Sequence, residues 1–323
     1  MQFPIIYLHI PKTAGTSFRI SAEHYFGPWN VLNDYGENSP NTSEDILNAF
    51  YSNNDIELLK SKGIEKKFLT GHFSLGKYRE VFPQSPVVTF FREPVDRVIS
   101  EYVHFSTHYG FEGGLADFYR KKHFQNRQAR AMSGAAPMDI DFFGITEKYE
   151  ESLRRFNNRY GTNFPMATLN QGNYTVGNQG VASDDEIAEI RELNSDDVAI
   201  YETALANFDK QDKSPHTVLL TAERYCGHLG GVRNEKMYGW TVDRLSEQPA
   251  QLKVSVNGEM RLSGVADIFR EDIRRKGIHI NGKCGFEIPL ETLGTVAAGD
   301  RISVRTADDS YELPNSPMVM PAS

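Results

Sequence analysis

Lys12, Thr16 and Ser17 stand around Gly15 in the stretch His9-Ile-Pro-Lys-Thr-Ala-Gly-Thr-Ser-Phe18, and residue types in that order can hold an anion. The run Phe3-Pro-Ile-Ile-Tyr-Leu-His-Ile10 reads as a buried first strand, and Arg19-Ile-Ser-Ala-Glu-His-Tyr25 continues as a helix with Thr16 and Ser17 as N-cap residues. The residues between them, Pro11, Lys12, Thr13, Ala14, Gly15, Thr16 and Ser17, then form a strand-to-helix turn in which Gly15 supplies backbone freedom. A helix start carries orphan N–H groups and partial positive charge, so the loop amides, two hydroxyls and the Lys12 ammonium converge on one spot fit for a phosphate. An ordinary turn between a strand and a helix could carry the same residues.

A second strand-to-helix turn repeats the theme. Pro86-Val-Val-Thr-Phe-Phe91 is a continuous apolar run suited to a strand buried on both faces, and Arg92-Glu-Pro-Val-Asp-Arg-Val-Ile-Ser100 follows it. Pro94 fits the first turn of a helix, and helical spacing brings Ser100 back toward Arg92. A guanidinium pairs well with phosphate oxygens, and the hydroxyl adds a donor. The plain alternative is an amphipathic helix with Arg97 and Glu101 among its surface charges. Between the two turns, the short β-like run Lys67-Phe-Leu-Thr-Gly-His-Phe73 ends in Gly71 and His72. Histidine has an unperturbed pKa near neutrality, so His72 at a strand end could take a proton from an acceptor hydroxyl, or could be a hydrogen-bonded structural residue.

In the Walker nucleotide loop the lysine follows the last glycine and precedes Ser or Thr, whereas Lys12 comes three residues before Gly15. The wording Ile-Pro-Lys-Thr-Ala-Gly-Thr-Ser-Phe instead resembles the 5′-phosphosulfate loop of sulfotransferases that use 3′-phosphoadenosine 5′-phosphosulfate (PAPS), and is similar to the heparan sulfate 2-O and 6-O sulfotransferase group. That resemblance implies that Lys12 to Ser17 hold the 5′-phosphosulfate and that Arg92 and Ser100 bind the 3′-phosphate. It also implies that His72, in a Gly-His pair like that of the 2-O enzymes, is the catalytic base, with Lys12 stabilising charge on the leaving phosphate oxygen and no metal required. Should His72 fail as the base, His9, Glu93 and His104 are the fallbacks.

Downstream, Leu115 to Lys122 and Phe124 to Gly134 read as helices. Arg127 and Arg130 share a helix face, and the Gln125-Asn126-Arg127 segment resembles one lying beside the cofactor in the same enzymes. They would add positive charge near the nucleotide or an anionic acceptor, or form a solvated basic face. Thr146 reads as a helix N-cap, and its segment resembles a Gly-Leu-Thr-Glu stretch near the adenine and 3′-phosphate, which makes Thr146 a cofactor contact by resemblance. Asn157 to Gly180, rich in Asn, Gly, Thr and Tyr, is the candidate acceptor-binding lid.

The positioning elements follow from the rest of the chain. With 323 residues and ordinary apolar content it has ample material for a core, and a formal net charge of −8 speaks against a nucleic-acid partner. No apolar stretch approaches a membrane span, and the first strand begins almost at Met1, so the expectation is a cytoplasmic protein. Golgi sulfotransferases of eukaryotes carry a membrane anchor, so the resemblance points to a bacterial-type relative. Cys226 and Cys284 lie far apart without ligand spacing and read as reduced structural thiols.

Trp29 to Pro40 reads as a loop, Ser43 caps a helix reaching Leu59, a long helix runs from Asp184 to about Asp209, and Thr217-Val-Leu-Leu220 is β-like. From Tyr238 short strands dominate, with Asn257-Gly258 as a hairpin turn. The expected fold is therefore an α/β three-layer, P-loop-like domain with a mainly parallel sheet over residues 1–235, followed by a β-sandwich-like domain over 236–323. The latter is similar to β-modules of bacterial glycan-modifying enzymes, although a packing or dimerisation domain would look the same, and a homo-oligomer is left open. By resemblance the expected activity is sulfuryl transfer from PAPS to a saccharide hydroxyl. The alternatives are a P-loop kinase-like enzyme and a non-catalytic glycan-binding module.

Overall fold

The computed structural model describes residues 4–53, 55–63, 67–167, 181–211, 223–246 and 248–321. The chain divides into two compact units, the first comprising Met1–Ala22, Trp29–Thr162 and Met166–Leu220, the second Glu23–Pro28, Asn163–Pro165 and Thr221–Ser323.

Five strands make the sheet of the first unit: β1 (Ile5–Leu8), β2 (Val31–Asp34), β3 (Phe68–Gly71), β4 (Val87–Phe91) and β5 (Phe142–Ile145). Their order is β2-β3-β1-β4-β5, and all four pairings are parallel. Helices fill the connections: α1 (Gly15–Phe26), α2 (Glu44–Ile46), α3 (Ile56–Gly63), α4 (Leu75–Arg79), α5 (Pro94–His108), α6 (Leu115–Tyr119), α7 (Arg127–Met132), α8 (Tyr149–Tyr160), α9 (Asp184–Leu193) and α10 (Ser195–Asn207).

Alternation along the strands sends side chains to two covered faces. On one, Ile6, Leu8, Leu32, Leu69, Phe91 and Phe143 pack with Ile46, Leu59, Tyr78, Met132 and Phe208. On the other, Tyr7 and Phe90 meet Phe18 of α1, Phe18 meets Phe156 of α8, and Phe142 meets Phe156. Helices therefore cover both faces, the arrangement a parallel sheet requires.

Several elements depart from the sequence reading. The expected loop over Trp29 to Pro40 contains β2, whose four residues are too few to stand out against their Asn- and Gly-rich flanks. The helix expected from Ser43 to Leu59 is broken into α2, a π-helical stretch over Leu47–Ser52, and α3. Ser43 occupies the N-cap position without capping, because its hydroxyl instead accepts from the Asn33 backbone N–H at 2.9 Å. The long helix from Asp184 is two helices meeting at Asn194, whose side chain accepts from the Asn126 N–H and donates to the Ile190 carbonyl. The β-like Thr217 to Leu220 and most of the expected lid, residues 168–180, lie outside the described residues.

In the second unit, β6 (Tyr225–Arg233), β7 (Lys236–Asp243), β8 (Gln251–Val256), β9 (Glu259–Val265), β10 (Ile268–Phe269), α11 (Glu271–Arg275), β11 (Lys283–Pro289), β12 (Arg301–Thr306) and β13 (Met318–Val319) follow one another. They form two four-stranded antiparallel sheets, ordered β10-β11-β7-β6 and β13-β12-β8-β9. Leu229, Met237 and Phe286 from one sheet share a core with Leu252, Val254, Ile302 and Val304 from the other. Residue 235, where the sequence reading puts the domain boundary, lies in the turn between β6 and β7. Cys226 and Cys284 are free and buried, and burial pushes the Cys284 thiol up to about 12. Among the described residues no helix is long and apolar enough to cross a membrane.

Gly71 sets how closely β2 and β3 meet. A Cβ there would stand 1.8 Å from the Asp34 carbonyl oxygen, a backbone atom fixed by the strand pairing. Gly71→Ala should therefore destabilise the protein by about 1 to 3 kcal/mol, as overpacking against an immobile neighbour does. Denaturant unfolding checks this, and an unchanged midpoint would contradict the packing described.

Candidate functional site at the strand ends

Because all five strands are parallel, the residues that follow them emerge along one edge. Leu8 pairs with Gly71 and Phe91 with Ile145, so His9, His72, Arg92 and Thr146 leave the sheet side by side. The chain leaves β1 toward β2 on one side and β4 toward β5 on the other, which makes the gap between β1 and β4 the switch point of the sheet. Crevices at such points are where open α/β sheets bind ligands.

Lys12 and Ala14 occupy this gap with left-handed backbones, at φ 69° and 67°. Side chains rarely adopt that conformation, and it persists only where the surroundings hold it. Thr13 is fully buried between them and its hydroxyl donates to the Ile10 carbonyl at 2.9 Å, closing the turn. Gly15 begins α1, and a Cβ there would come within 1.8 Å of the His9 ring. Pro11 is half-buried, Thr16 exposed and Ser17 buried. The helix starts at Gly15, so Thr16 and Ser17 lie in its first turn rather than ahead of it, a correction to their expected N-cap role.

Arg92 reaches this loop from β4, donating from Nη1 to the Lys12 carbonyl at 3.1 Å. The backbone of Arg92 is clamped by the buried Gln128, which accepts from its N–H and donates to its carbonyl. Burial lowers the pKa of both cations, and Arg92 is the next cause at Lys12, offset in part by Glu101. Two partly desolvated positive charges held this close gain most when an anion lies between them. Ser100 is half-buried in the second turn of α5. Thr146 does not cap a helix as expected: its hydroxyl donates to the Phe91 carbonyl at 3.1 Å, fastening the ends of β4 and β5.

His72 sits at the end of β3 with its backbone N–H bonded to the Asp34 carbonyl at 2.9 Å. Its ring meets His9 and Tyr35 edge-on, with centroids 4.6 and 4.9 Å away. Solvent reaches the residue, yet protein crowds the imidazole, and this burial, then Arg127, lowers its pKa to about 4 against the pull of Asp34. His72 is thus neutral at pH 7 and can accept a proton. The fallback bases differ from it: burial holds His9 well below its ordinary pKa, His104 is half-buried near Lys12, and Glu93 is engaged in capping α5 and pairing with Arg191.

Two groups that support the site were not singled out from sequence. Asp34, almost wholly buried, accepts from Lys77 at 2.7 Å, Tyr78 at 2.8 Å and Tyr51 at 3.0 Å, and so fixes the end of β2 beneath His72. Arg97 and Glu101, surface charges on the plain amphipathic-helix reading, are buried and paired at 2.6 Å. Arg97 also donates to the Phe124 carbonyl and faces Asp197 at 3.7 Å, while Arg127 approaches Glu101 at 3.6 Å. The i,i+4 spacing of Arg97 and Glu101 was the available signal, but it fits an exposed pair equally well.

Surface hollows of about 390 and about 670 Å³ lie in the second unit. The larger is lined by Phe269, Arg270, Glu271, Asp272, Arg275 and Lys276, and both of its carboxylates are already paired with arginines, so the strand-end site remains the chemical candidate.

No protein-family model matches the chain, and no curated protein matches it. Among solved structures it is similar to a sulfotransferase from Alicyclobacillus acidocaldarius, with 14% identity and a TM-score of 0.37, over 64% of this chain and 97% of that one.

If Lys12 and Arg92 form an anion site, inorganic phosphate at constant ionic strength should raise the melting temperature of the protein, since ligands that bind the folded state stabilise it. Lys12→Met should remove that rise without lowering the phosphate-free melting temperature, because it deletes one of two repelling charges. The same rise in the variant would show that phosphate binds elsewhere.

Proposed function

We propose that this protein is a PAPS-dependent sulfotransferase acting on an acceptor hydroxyl, with a saccharide as the acceptor class that the motif resemblance favours. The observation that carries the reading is the meeting of three sequence motifs along one edge of the sheet: the Lys12 loop, Arg92 bonded to that loop, and His72 against His9 on the neighbouring strand end. PAPS supplies an activated sulfuryl group whose departure leaves 3′,5′-ADP. The residues fit a doubly anionic donor. Two desolvated cations and a left-handed loop suit its 5′-phosphosulfate, while Arg92, with Ser100 on the following helix, suits a 3′-phosphate. Thr146, bonded to the Phe91 carbonyl, and Arg127, which approaches Glu101 of α5 at 3.6 Å, are proposed as further contacts to it.

On this reading the chain works by positioning and charge rather than by covalent chemistry. Lys12 offers its ammonium where negative charge grows on the leaving oxygen. His72 holds a lone pair for the proton of the attacking hydroxyl, and its depressed pKa keeps that pair free through the neutral range. Asp34 and Tyr35 hold the histidine in place from β2. The second unit is proposed as an accessory β domain.

His72→Ala should cut labelled-sulfate transfer to a saccharide panel by roughly 10²- to 10⁴-fold while leaving 3′,5′-ADP affinity nearly intact. Equal losses of binding and turnover would make His72 a ligand or a structural residue. The wild-type kcat/KM should stay level as pH falls through 6.5 and drop only toward about 4, because activity is lost where His72 gains its proton. A limb at 6.5 would contradict the site as described.

A further inference from the structure

Arg92 lies one residue past Phe91, the last position at which β4 pairs with β5. Beyond that point side chains hold the backbone. Thr146 donates to the Phe91 carbonyl, and the Glu93 N–H donates to Glu147 Oε1 at 3.0 Å. Between these two ties Gln128 takes both peptide groups of Arg92, its Oε1 accepting from the N–H and its Nε2 donating to the carbonyl, each at 2.9 Å. The partners settle which end of the amide is which, because a backbone N–H can only donate and a carbonyl only accept. Gln128, wholly buried, therefore stands in for a strand neighbour.

The place of Gln128 is itself set from outside α7. The Asn126 N–H donates to Asn194 Oδ1 at 2.9 Å, the Asp197 N–H to Asn126 Oδ1 at 3.2 Å, and the Ala129 N–H to Asp197 Oδ1 at 2.8 Å. The elbow between α9 and α10 thus seats the start of α7, and Gln128 with it.

We propose that Gln128 is the positioning residue through which the site selects a 3′-phosphorylated nucleotide: it fixes the backbone of Arg92, so that the guanidinium is already ordered when the 3′-phosphate arrives. This rests on reading Arg92 as the 3′-phosphate ligand. Gln128 holds Arg92 at its backbone and the Lys12 carbonyl holds it at Nη1, so the side chain is tied at both ends. Ordering one long side chain on binding weakens affinity by roughly 2- to 10-fold, and a guanidinium ordered beforehand escapes that loss. A nucleotide without a 3′-phosphate gains nothing from it. Selectivity is therefore built by Gln128 and the elbow behind it, while the Lys12 loop takes the 5′ end of either nucleotide.

Calorimetry of the full chain with 3′,5′-ADP and with 5′-AMP tests this, in the wild type, in Gln128→Met, and in Arg92→Met with and without Gln128→Met. The wild type should bind 3′,5′-ADP more tightly than 5′-AMP. Gln128→Met keeps the bulk of the side chain and deletes both bonds, so it should weaken 3′,5′-ADP by roughly 2- to 10-fold and leave 5′-AMP unchanged. In the Arg92→Met background the same change should add nothing, since the coupling runs through the guanidinium. Equal weakening of both nucleotides by Gln128→Met, or of neither, would overturn the positioning role alone. So would an undiminished further loss in the Arg92→Met background. A wild type that binds the two nucleotides alike, or neither, would overturn it together with the 3′-phosphate assignment. Should Gln128→Met fail to fold, Gln128→Glu decides the matter, because it keeps the shape and replaces the donor to the Arg92 carbonyl with an acceptor. A preference for 3′,5′-ADP smaller than that of the wild type upholds the role, and an equal preference overturns it.

Discussion

One hydrogen bond, from Arg92 to the carbonyl of Lys12, joins the loop after β1 to the end of β4 across the switch point of the sheet. It fastens Arg92 to the left-handed turn at Lys12, and the two cations lie near enough for the charge of Arg92 to lower the Lys12 pKa. Structures keep such pairs where the surroundings enforce them. Here the enforcement comes from Gln128 on the Arg92 backbone and, behind it, from the buried Arg97, whose partners Glu101, Phe124 and Asp197 lie on α5, the turn before α7, and α10. Removing Arg97 would take from the buried Glu101 and Asp197 the guanidinium that they share, which is costly for carboxylates so far from solvent.

The histidine side of the site depends on register. Leu8 pairs with Gly71, so the next residues of both strands, His9 and His72, come out as neighbours, and the lack of side chains at Gly15 and Gly71 leaves room for the ring of one and the close strand pairing beneath the other. Burial lowers the pKa of both imidazoles, His9 lying buried against Gly15 and His72 remaining open to solvent at the end of β3.

The parallel α/β unit and the antiparallel β unit were legible because their strands are apolar runs ended by Gly, Pro and charged residues, a pattern that burial on both faces or on one face dictates. Lys12, Arg92 and His72 stand out in the sequence as candidates because each follows such a run. What could not be read was short or mutual. The four residues of β2 carry too little periodicity to betray a strand, and with them Asp34 and Tyr35 went unnoticed as supports of His72. Thr146 has the pattern of a cap, a Thr before acidic residues, but the carbonyl of Phe91, reached only through the fold, accepts its hydroxyl's hydrogen bond instead. Arg97 and Glu101 show the same limit, as spacing gives a pair and only packing reveals that it is buried.

The proposed function requires the strand-end residues to hold a nucleotide that carries phosphates on both its 3′ and 5′ positions. Isothermal titration of the wild-type protein, with 3′,5′-ADP in one run and ATP with magnesium in another, tests that claim most directly. The account predicts one-to-one binding of 3′,5′-ADP and none of ATP with magnesium, whereas tight ATP binding without 3′,5′-ADP binding would contradict it.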